Sequence, residues 1–525
     1  MHSNLRRALL VPALLGSLTS SVAFAGTPTN DIQILFVCDP TLDRVFRLQD
    51  YDSNANYNAP GETVKFYDGL TGVIPLTEPT CLTASPSDTV FVGDSTEDII
   101  VELRDGNDDG DAMDAGEANL YFDGRPGGNA SNVRLTHVNG VVLRFLTVLW
   151  VANSNTTTGE IDSILRLEDL NGDGDANDAN EAHVFYTPPG GAVGDSVPTA
   201  IEIGFDNFIY YTENGNGLAR GVWRLADVNH DNVIGPGEAT LFFQPPPAVN
   251  QPELTSLDVD ELANWYVGDR ANNLVYRARD VDRNGVVQGF ESVVYLTVAP
   301  TRSFHDLGVK NEGGVVYVPD AATNTTILYC DDANHSGVIE NGLETANGYD
   351  DLVSDTNIDD PHGVALDFHT HEGAGDPFCG GDSNMCPCNN LGAPNTGCAH
   401  SLGYGAGLKG SDGTDGITND DLILKAEYLP PGTSALLFAG STPLAGGFGI
   451  PFGDGLRCVG GAVSRIGVRT ADGQGFASWG PGMASQQGFV VGQTTYFQVW
   501  FRDTAIFCTG DLYNLTNGLQ VTFTQ

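Results

Sequence analysis

At 525 residues the chain is too long for a single hydrophobic core and long enough for two or three domains. Its 24 Lys and Arg against 68 Asp and Glu give a formal charge of −44, which excludes the basic face that nucleic acid requires. A hydrophobic content of 41%, with the acids clustered rather than spread, excludes a disordered polyanion and calls for cations.

Residues 1–25 carry Arg6 and Arg7, an apolar run from Ala8 to Leu15 and small residues ending in Ala23-Phe24-Ala25. That order predicts a secretory signal peptide cut before Gly26, and hence a secreted or cell-surface protein. The run is too short to span a bilayer, and no later stretch approaches ~20 uninterrupted apolar residues, so no transmembrane segment is expected. Without the two arginines the charge becomes 22 − 68 = −46.

Self-similarity organises residues 26–376. Six segments share a β-rich run ending in Asp or Asn, a short turn, a second strand and a run of Asp and Asn. The first acids of these polar runs are Asp50, Asp105, Asp169, Asp227, Asp280 and Asp332, spaced 52 to 64 residues apart. Another β-prone segment follows each run (TVKFYDG, ANLYFDG, AHVFYTP, ATLFFQP, SVVYLTV, ANGYDDLV), and one more precedes each repeat. The spacing fits a four-stranded blade per repeat better than a solenoid turn. The first repeat lacks its opening strand, and PHGVALDF at 361–368 supplies one at the far end. An all-β, six-bladed propeller closed by a C-terminal strand explains both facts, and closure removes exposed sheet edges.

The pattern P-x-x-[apolar]-x-x-D, then l-y-v-x-D, then i-x-R resembles NHL-repeat and related six-bladed propellers, including the gluconolactonase-like group, over residues 31–376. The resemblance implies architecture and says little of activity, since propellers host unrelated functions. In the gluconolactonase-like group it implies a catalytic metal in the central channel, for which Glu202, His305, Asp306 and His362 lie near channel-facing strand starts. No G-x-S-x-G, H-E-x-x-H or phosphate-binding glycine loop is present, and Glu160 and Glu181 do not make a glycosidase pair. No catalytic residue is assigned.

The polar runs read as calcium loops. Residues 227–238 (DVNHDNVIGPGE) and 280–291 (DVDRNGVVQGFE) match the 12-residue EF-hand loop. The expected ligands are the side chains of Asp227, Asn229, Asp231 and Glu238 with the carbonyl of Val233, and those of Asp280, Asp282, Asn284 and Glu291 with the carbonyl of Val286. Alternating side chains aim oxygens inward, the seventh residue gives its carbonyl, and the last Glu gives two oxygens. Loops two (Asp105, Asn107, Asp109, Asp111, Glu117) and three (Asp169, Asn171, Asp173, Asp175, Glu181) run one residue longer, and Asp111 and Asp175 stand where a carbonyl would serve. Loops one (Asp50, Asp52, Asn54, Glu62) and six (Asp332, Asn334, Ser336, Glu344) depart further, so occupancy is expected first in loops two to five. All-oxygen ligands select calcium over zinc or copper. Strands on both sides distinguish the loops from a helix-opening sensor, and the calcium is expected to be structural.

At 377–400 the composition turns Cys- and Gly-rich, followed by a 401–525 module with strands DLILKAEYL, SALLFAG, SRIGVRT, GFASWG, TTYFQVWFRD and LQVTFTQ, read as a β-sandwich. Six of nine cysteines (Cys379, Cys386, Cys388, Cys398, Cys458, Cys508) fall here and read as disulfides of unassigned connectivity. The odd total leaves an unpaired thiol among Cys38, Cys81 and Cys330. The motifs CPCNN…GC, LPPGTSALLFAG, FGDGLRCVGG at 452–461, YFQVWFRD and NLTNG resemble a C-terminal module recurrent in exported proteins of environmental bacteria, which implies an accessory or attachment role. The function expected is a secreted calcium-binding propeller that binds an extracellular protein, glycan or surface and is not an enzyme. The alternative is a propeller hydrolase, lactonase- or esterase-like, with its metal in the channel.

Overall fold

The computed structural model describes residues 34–524 except 52–55, 86–88, 108, 145–147, 155–160, 190–193, 205–207, 230, 261–262, 283, 300–303, 311–313, 321–325, 335, 341–343, 355, 368–374, 382–385, 388–389, 393–395, 413–415, 419, 421, 472–474, 504–506 and 508. The signal-peptide expectation, Asp52, Asn54, Glu160, Cys388 and Cys508 therefore lie outside the described residues.

Six four-stranded antiparallel sheets follow one another along the chain. In the second, the order from inner to outer strand is Pro79–Ala84, Thr89–Asp94, Ile99–Arg104 and Ala118–Asp123. The second strand of each sheet is buried along its whole length, as in Ile34–Asp39 and Val148–Asn153. Neighbouring sheets cover both its faces, which is why these runs read as continuously apolar. Each propeller core cluster joins two successive sheets, and the cluster of Leu35, Val37, Phe46, Tyr317, Tyr349 and Leu366 joins the last sheet to the first. The sheets are thus blades of a closed propeller.

Closure is made as expected. Val364–Asp367 pairs antiparallel with Ile34–Asp39 and becomes the inner strand of the first blade. In blades one to five the polar residue ending the second strand (Asp39, Asp94, Asn153, Glu213, Asp269) ties it to the segment entering the inner strand. Asp94 Oδ2 accepts the backbone N–H groups of Thr77 (2.6 Å) and Glu78 (3.0 Å). At the seam Asp39 Oδ2 accepts those of Asp359 (2.6 Å) and Asp360 (3.1 Å), reproducing between chain ends what the other blades make locally.

Beyond the propeller, two sheets form a sandwich. One runs Asp376–Phe378, Gly518–Thr522, Thr494–Arg502, Ser434–Gly440, Ser464–Thr470; the other Thr396–Ala399, Gly405–Asp412, Ile423–Glu427, Ala477–Trp479. Leu408, Leu424, Leu437, Phe497, Val499 and Val521 pack together in the core. Disulfides join Cys379 to Cys458 and Cys386 to Cys398, while Cys38, Cys81 and Cys330 are buried thiols of the propeller outside these bridges.

Candidate metal centres and the central channel

Every acidic loop joins the third strand of its blade to the fourth. A common frame holds them. The first Asp accepts the backbone N–H of the fifth residue on one oxygen and of the sixth on the other: Asp227 from Asp231 (3.2 Å) and Asn232 (2.9 Å), Asp280 from Asn284 (3.1 Å) and Gly285 (2.7 Å). The final Glu accepts the N–H of the second residue on one oxygen and of the residue three before it on the other: Glu238 from Val228 (3.1 Å) and Gly235 (2.7 Å), Glu291 from Val281 (2.9 Å) and Gln288 (2.8 Å). The N–H groups of Gln288, then Asp282 and Val281, hold the Glu291 carboxyl below its usual range. Each carboxylate thus spends its outward lone pairs on the loop's own backbone and presents the rest inward. Oxygens of Asp280, Asp282 and Glu291 lie within 4.8 Å of one another.

The loops that depart from the 12-residue pattern keep a final Glu that bridges two backbone N–H groups, with shifts: Asp169 of loop three takes the fourth residue, Gly172, in place of the fifth, and Glu344 of loop six takes the third residue and the one four before it. Glu62 of loop one bridges the N–H groups of Tyr51 (3.1 Å) and Ala59 (2.8 Å). In loop six Asp332 accepts Ser336 and Gly337 (both 2.8 Å), and Glu344 accepts Asn334 (3.3 Å) and Glu340 (2.9 Å). Arg277 from the fifth blade stands 3.7 Å from Asp332 Oδ2, a cation already beside this loop. In loops two and three the extra residue, Met113 or Asn177, sits between the eighth residue and the one three before the final Glu, and leaves both Glu anchors intact. Asp111 and Asp175 each accept a backbone N–H two residues on, at 2.9 and 2.8 Å, an Asx-turn role.

Two residues that sequence reasoning passed over face the third residue of the loop across it. The Asn107 amide donates to Asp114 Oδ2 and the Asn171 amide to Asp178 Oδ2, both at 2.7 Å. Their shared D-A-x-E context (DAGE, DANE) was the available signal. The sixth position has positive φ in loops two to six: Gly110, Gly174, Asn232, Gly285 and Gly337. This explains glycine in four of them and Asn, which tolerates that region, in the other.

The channel brings together residues far apart in sequence. Glu202, His305, Asp306 and His362 all line one cavity of about 990 Å³, joined by Asp258 and Arg270. Glu202, Asp258 and Asp306 are half-buried on the wall of this cavity. Burial pushes all three carboxyls up, Asp258 and Asp306 to about 7; Asp258 raises Glu202 further, and Asp306 raises both Glu202 and Asp258. Asp306 also accepts the Val364 N–H at 2.9 Å, and Asp258 the Val309 N–H at 2.7 Å, each reaching the next blade's inner strand.

Because folded Asp306 keeps a proton that the unfolded chain releases near pH 4, its contribution to stability falls as pH rises from about 4 to about 7. Asp306→Asn keeps an acceptor for Val364 and removes this dependence. The variant is expected to melt higher than the parent at pH 8 and alike at pH 4. Parallel melting curves across that range would contradict the assignment.

His305 and His362 stack at 3.8 Å between ring centroids, and Asp360 stands 3.3 Å from His362 Nε2. These three residues cluster closely enough for a metal, but the hydrogen bonding does not suit one. A metal-bound His donates its distal N–H to an acceptor. Here the Arg270 guanidinium donates to His305 Nδ1 at 2.9 Å, which leaves the ring proton on Nε2. Burial, then the neighbouring His362 and Arg270, push His305 down to about 4. It is a neutral donor facing the cavity.

No family model matches the chain, and no curated protein matches it either. Among solved structures it is similar to virginiamycin B lyase from Staphylococcus aureus (16% identity, TM-score 0.38, covering 62% of this chain and 83% of that one). It is similar to a putative 6-phosphogluconolactonase from Bacteroides fragilis (12%, TM-score 0.41, 65% and 99%). It is also similar to a calcium-binding protein, regucalcin, from Agrobacterium tumefaciens (12%, TM-score 0.33, 48% and 71%). At these identities and TM-scores the likeness assigns no activity to this chain.

Proposed function

We propose that the chain is an exported, calcium-loaded propeller whose loops hold structural ions and whose body binds an extracellular protein, glycan or surface. The observation that carries the reading is the recurrence in loops two to six of a first Asp that accepts the sixth residue's N–H and a final Glu that bridges two backbone N–H groups of its loop. A solvated acidic turn has no reason to repeat it. The ligand oxygens are those of Asp50, Asp52, Asn54 and Glu62 in loop one and their counterparts around the ring, with Asp114 and Asp178 added in loops two and three. Oxygen-only donors suit calcium. Two disulfides in the sandwich and the signal-peptide pattern support export. No described helix is long and apolar enough to cross a membrane.

Metal analysis of the full chain equilibrated in ~1 mM calcium, the extracellular range, is expected to find at least four ions. Asp280→Asn combined with Glu291→Gln should remove one equivalent and leave the others. Less than one equivalent on the parent chain would end the proposal.

A second reading, a propeller hydrolase working in the channel, is supported by the three carboxyls and the His305 donor that meet there. A resident cation on Glu202, Asp258 and Asp306 would keep them ionised and abolish the pH dependence expected of Asp306. The same melting series therefore separates the two readings.

A further inference from the structure

The loops do not end at their own blades. The eighth residue of each donates its backbone N–H to the outer strand of the preceding blade: Ala112 to Phe66 (2.8 Å), Ala176 to Tyr121 (2.8 Å), Ile234 to Phe185 (2.8 Å), Val287 to Phe242 (2.7 Å) and Ile339 to Tyr295 (2.7 Å). Loop one closes the circle, with Tyr57 donating to Gly348 of the sixth blade at 2.6 Å. Each acceptor lies four residues after the Glu that ends its own loop, as Phe66 follows Glu62 and Gly348 follows Glu344. A continuous path therefore runs from loop to Glu, outer strand, inter-blade hydrogen bond and next loop, six times round.

The side chains at these joints are complementary. In five, the outer strand supplies a buried aromatic ring and the loop a small or aliphatic residue. In the sixth the pair is exchanged: the strand has Gly348 and the loop has Tyr57, 2% exposed, its ring 3.8 Å from where a Gly348 Cβ would stand. Tyr57 Oη also lies 3.3 Å from Tyr317 Oη. The exchange falls at the one interface where the blades are not consecutive in sequence.

We propose that the six loops are inter-blade clamps coupled head to tail into one ring, so that ordering one loop by a cation favours the next, and that Tyr57 closes the ring by filling the place left by Gly348. The cation part rests on the calcium reading above; the exchange at the seam does not. A loop held in its liganded shape presents its eighth N–H in register, and the outer strand it grips begins at the neighbouring site's Glu.

Two experiments test this on the full chain. Val287→Pro deletes the N–H to Phe242 without removing a ligand. Calcium titration is expected to show a weaker overall affinity, five-fold or more, and a shallower isotherm than the parent. An isotherm of unchanged midpoint and steepness, from protein with a parental circular dichroism spectrum, overturns the coupling. Should that variant fail to fold, the seam gives an independent reading. Tyr57→Ala is expected to lower the melting temperature by about 4–7 °C. Gly348→Tyr added to it should recover most of that, since Gly348 is not at positive φ and its nearest neighbour to a new Cβ is Ile327 O at 3.3 Å. A double variant no more stable than Tyr57→Ala overturns the seam assignment. A parent chain that binds no calcium would fail the calcium reading while leaving the seam comparison intact.

Discussion

Transfer from about 1 mM calcium into excess chelator is expected to lower the propeller's melting temperature by about 8–15 °C. A site of Kd about 10⁻⁴ to 10⁻⁵ M filled at about 1 mM contributes about 1.4–2.7 kcal/mol by mass action. Four such sites contribute about 6–11 kcal/mol. The strands of the propeller span 34–367, and a unit of that size unfolds with an entropy of about 0.7 kcal/mol/K, which converts the sum into the stated shift. The direction has a second cause. Loop two holds Asp105, Asp109, Asp111, Asp114 and Glu117 within 13 residues, and without a counter-ion these repel one another. The shift should therefore shrink in high salt, where screening relieves the repulsion of the metal-free form. Scanning calorimetry in calcium, in chelator and in chelator with added salt separates the contributions. Coincident melts in calcium and chelator would leave the loops as ordinary solvated turns.

Much of the architecture was legible because it is written locally. Buried second strands show as apolar runs ending in an acid, such as ILFVCD and TVFVGD, and the missing first strand pointed to PHGVALDF. The places of the acidic runs were legible for the same reason, since each falls between the third and fourth strands of its blade. What escaped the sequence is what closure brings together. Asp39 and Asp359 are 320 residues apart and meet only at the seam. The Tyr57–Gly348 exchange looks like a stray aromatic in an acidic loop until the sixth blade is set beside the first. Glu202, Asp258 and Asp306 sit on three successive blades, and their mutual influence exists only once the inner strands converge. The resemblance to gluconolactonase-like propellers directed attention to His305 and His362, but not to Arg270, whose donation into His305 argues against a metal there. Loop six looked depleted by composition, yet Asp332 keeps its anchors and Glu344 still bridges two backbone N–H groups, each one position away from those used in loops two to five.

Reduction of the disulfides is expected to unfold the C-terminal sandwich while sparing the propeller. Cys379 and Cys458, 79 residues apart, close a loop whose entropy in the unfolded chain corresponds to about 4.5 kcal/mol in the chain-entropy description. Cys386 and Cys398, 12 residues apart, correspond to about 3 kcal/mol. Their sum of about 7 kcal/mol is comparable with the whole stability of an ordinary domain. The local structure points the same way. Cys386, Cys398 and Cys458 are buried with Phe438, Leu456, Val459 and Leu515 in a small cluster beside the main core. Gln498, fully buried, accepts the Cys458 N–H at 2.9 Å and donates to Leu456 O and Thr516 O. Losing the crosslink exposes this polar centre, and a buried amide left without partners is costly. The propeller responds differently because its thiols Cys38, Cys81 and Cys330 are already reduced and buried. Calorimetry with and without reductant in calcium should show one transition moving down steeply and a second, calcium-dependent transition holding its place. Cys379→Ser/Cys458→Ser should reproduce the larger part of the fall and Cys386→Ser/Cys398→Ser the smaller. Equal losses from the two pairs would show that local packing around each bridge outweighs the length of chain it closes.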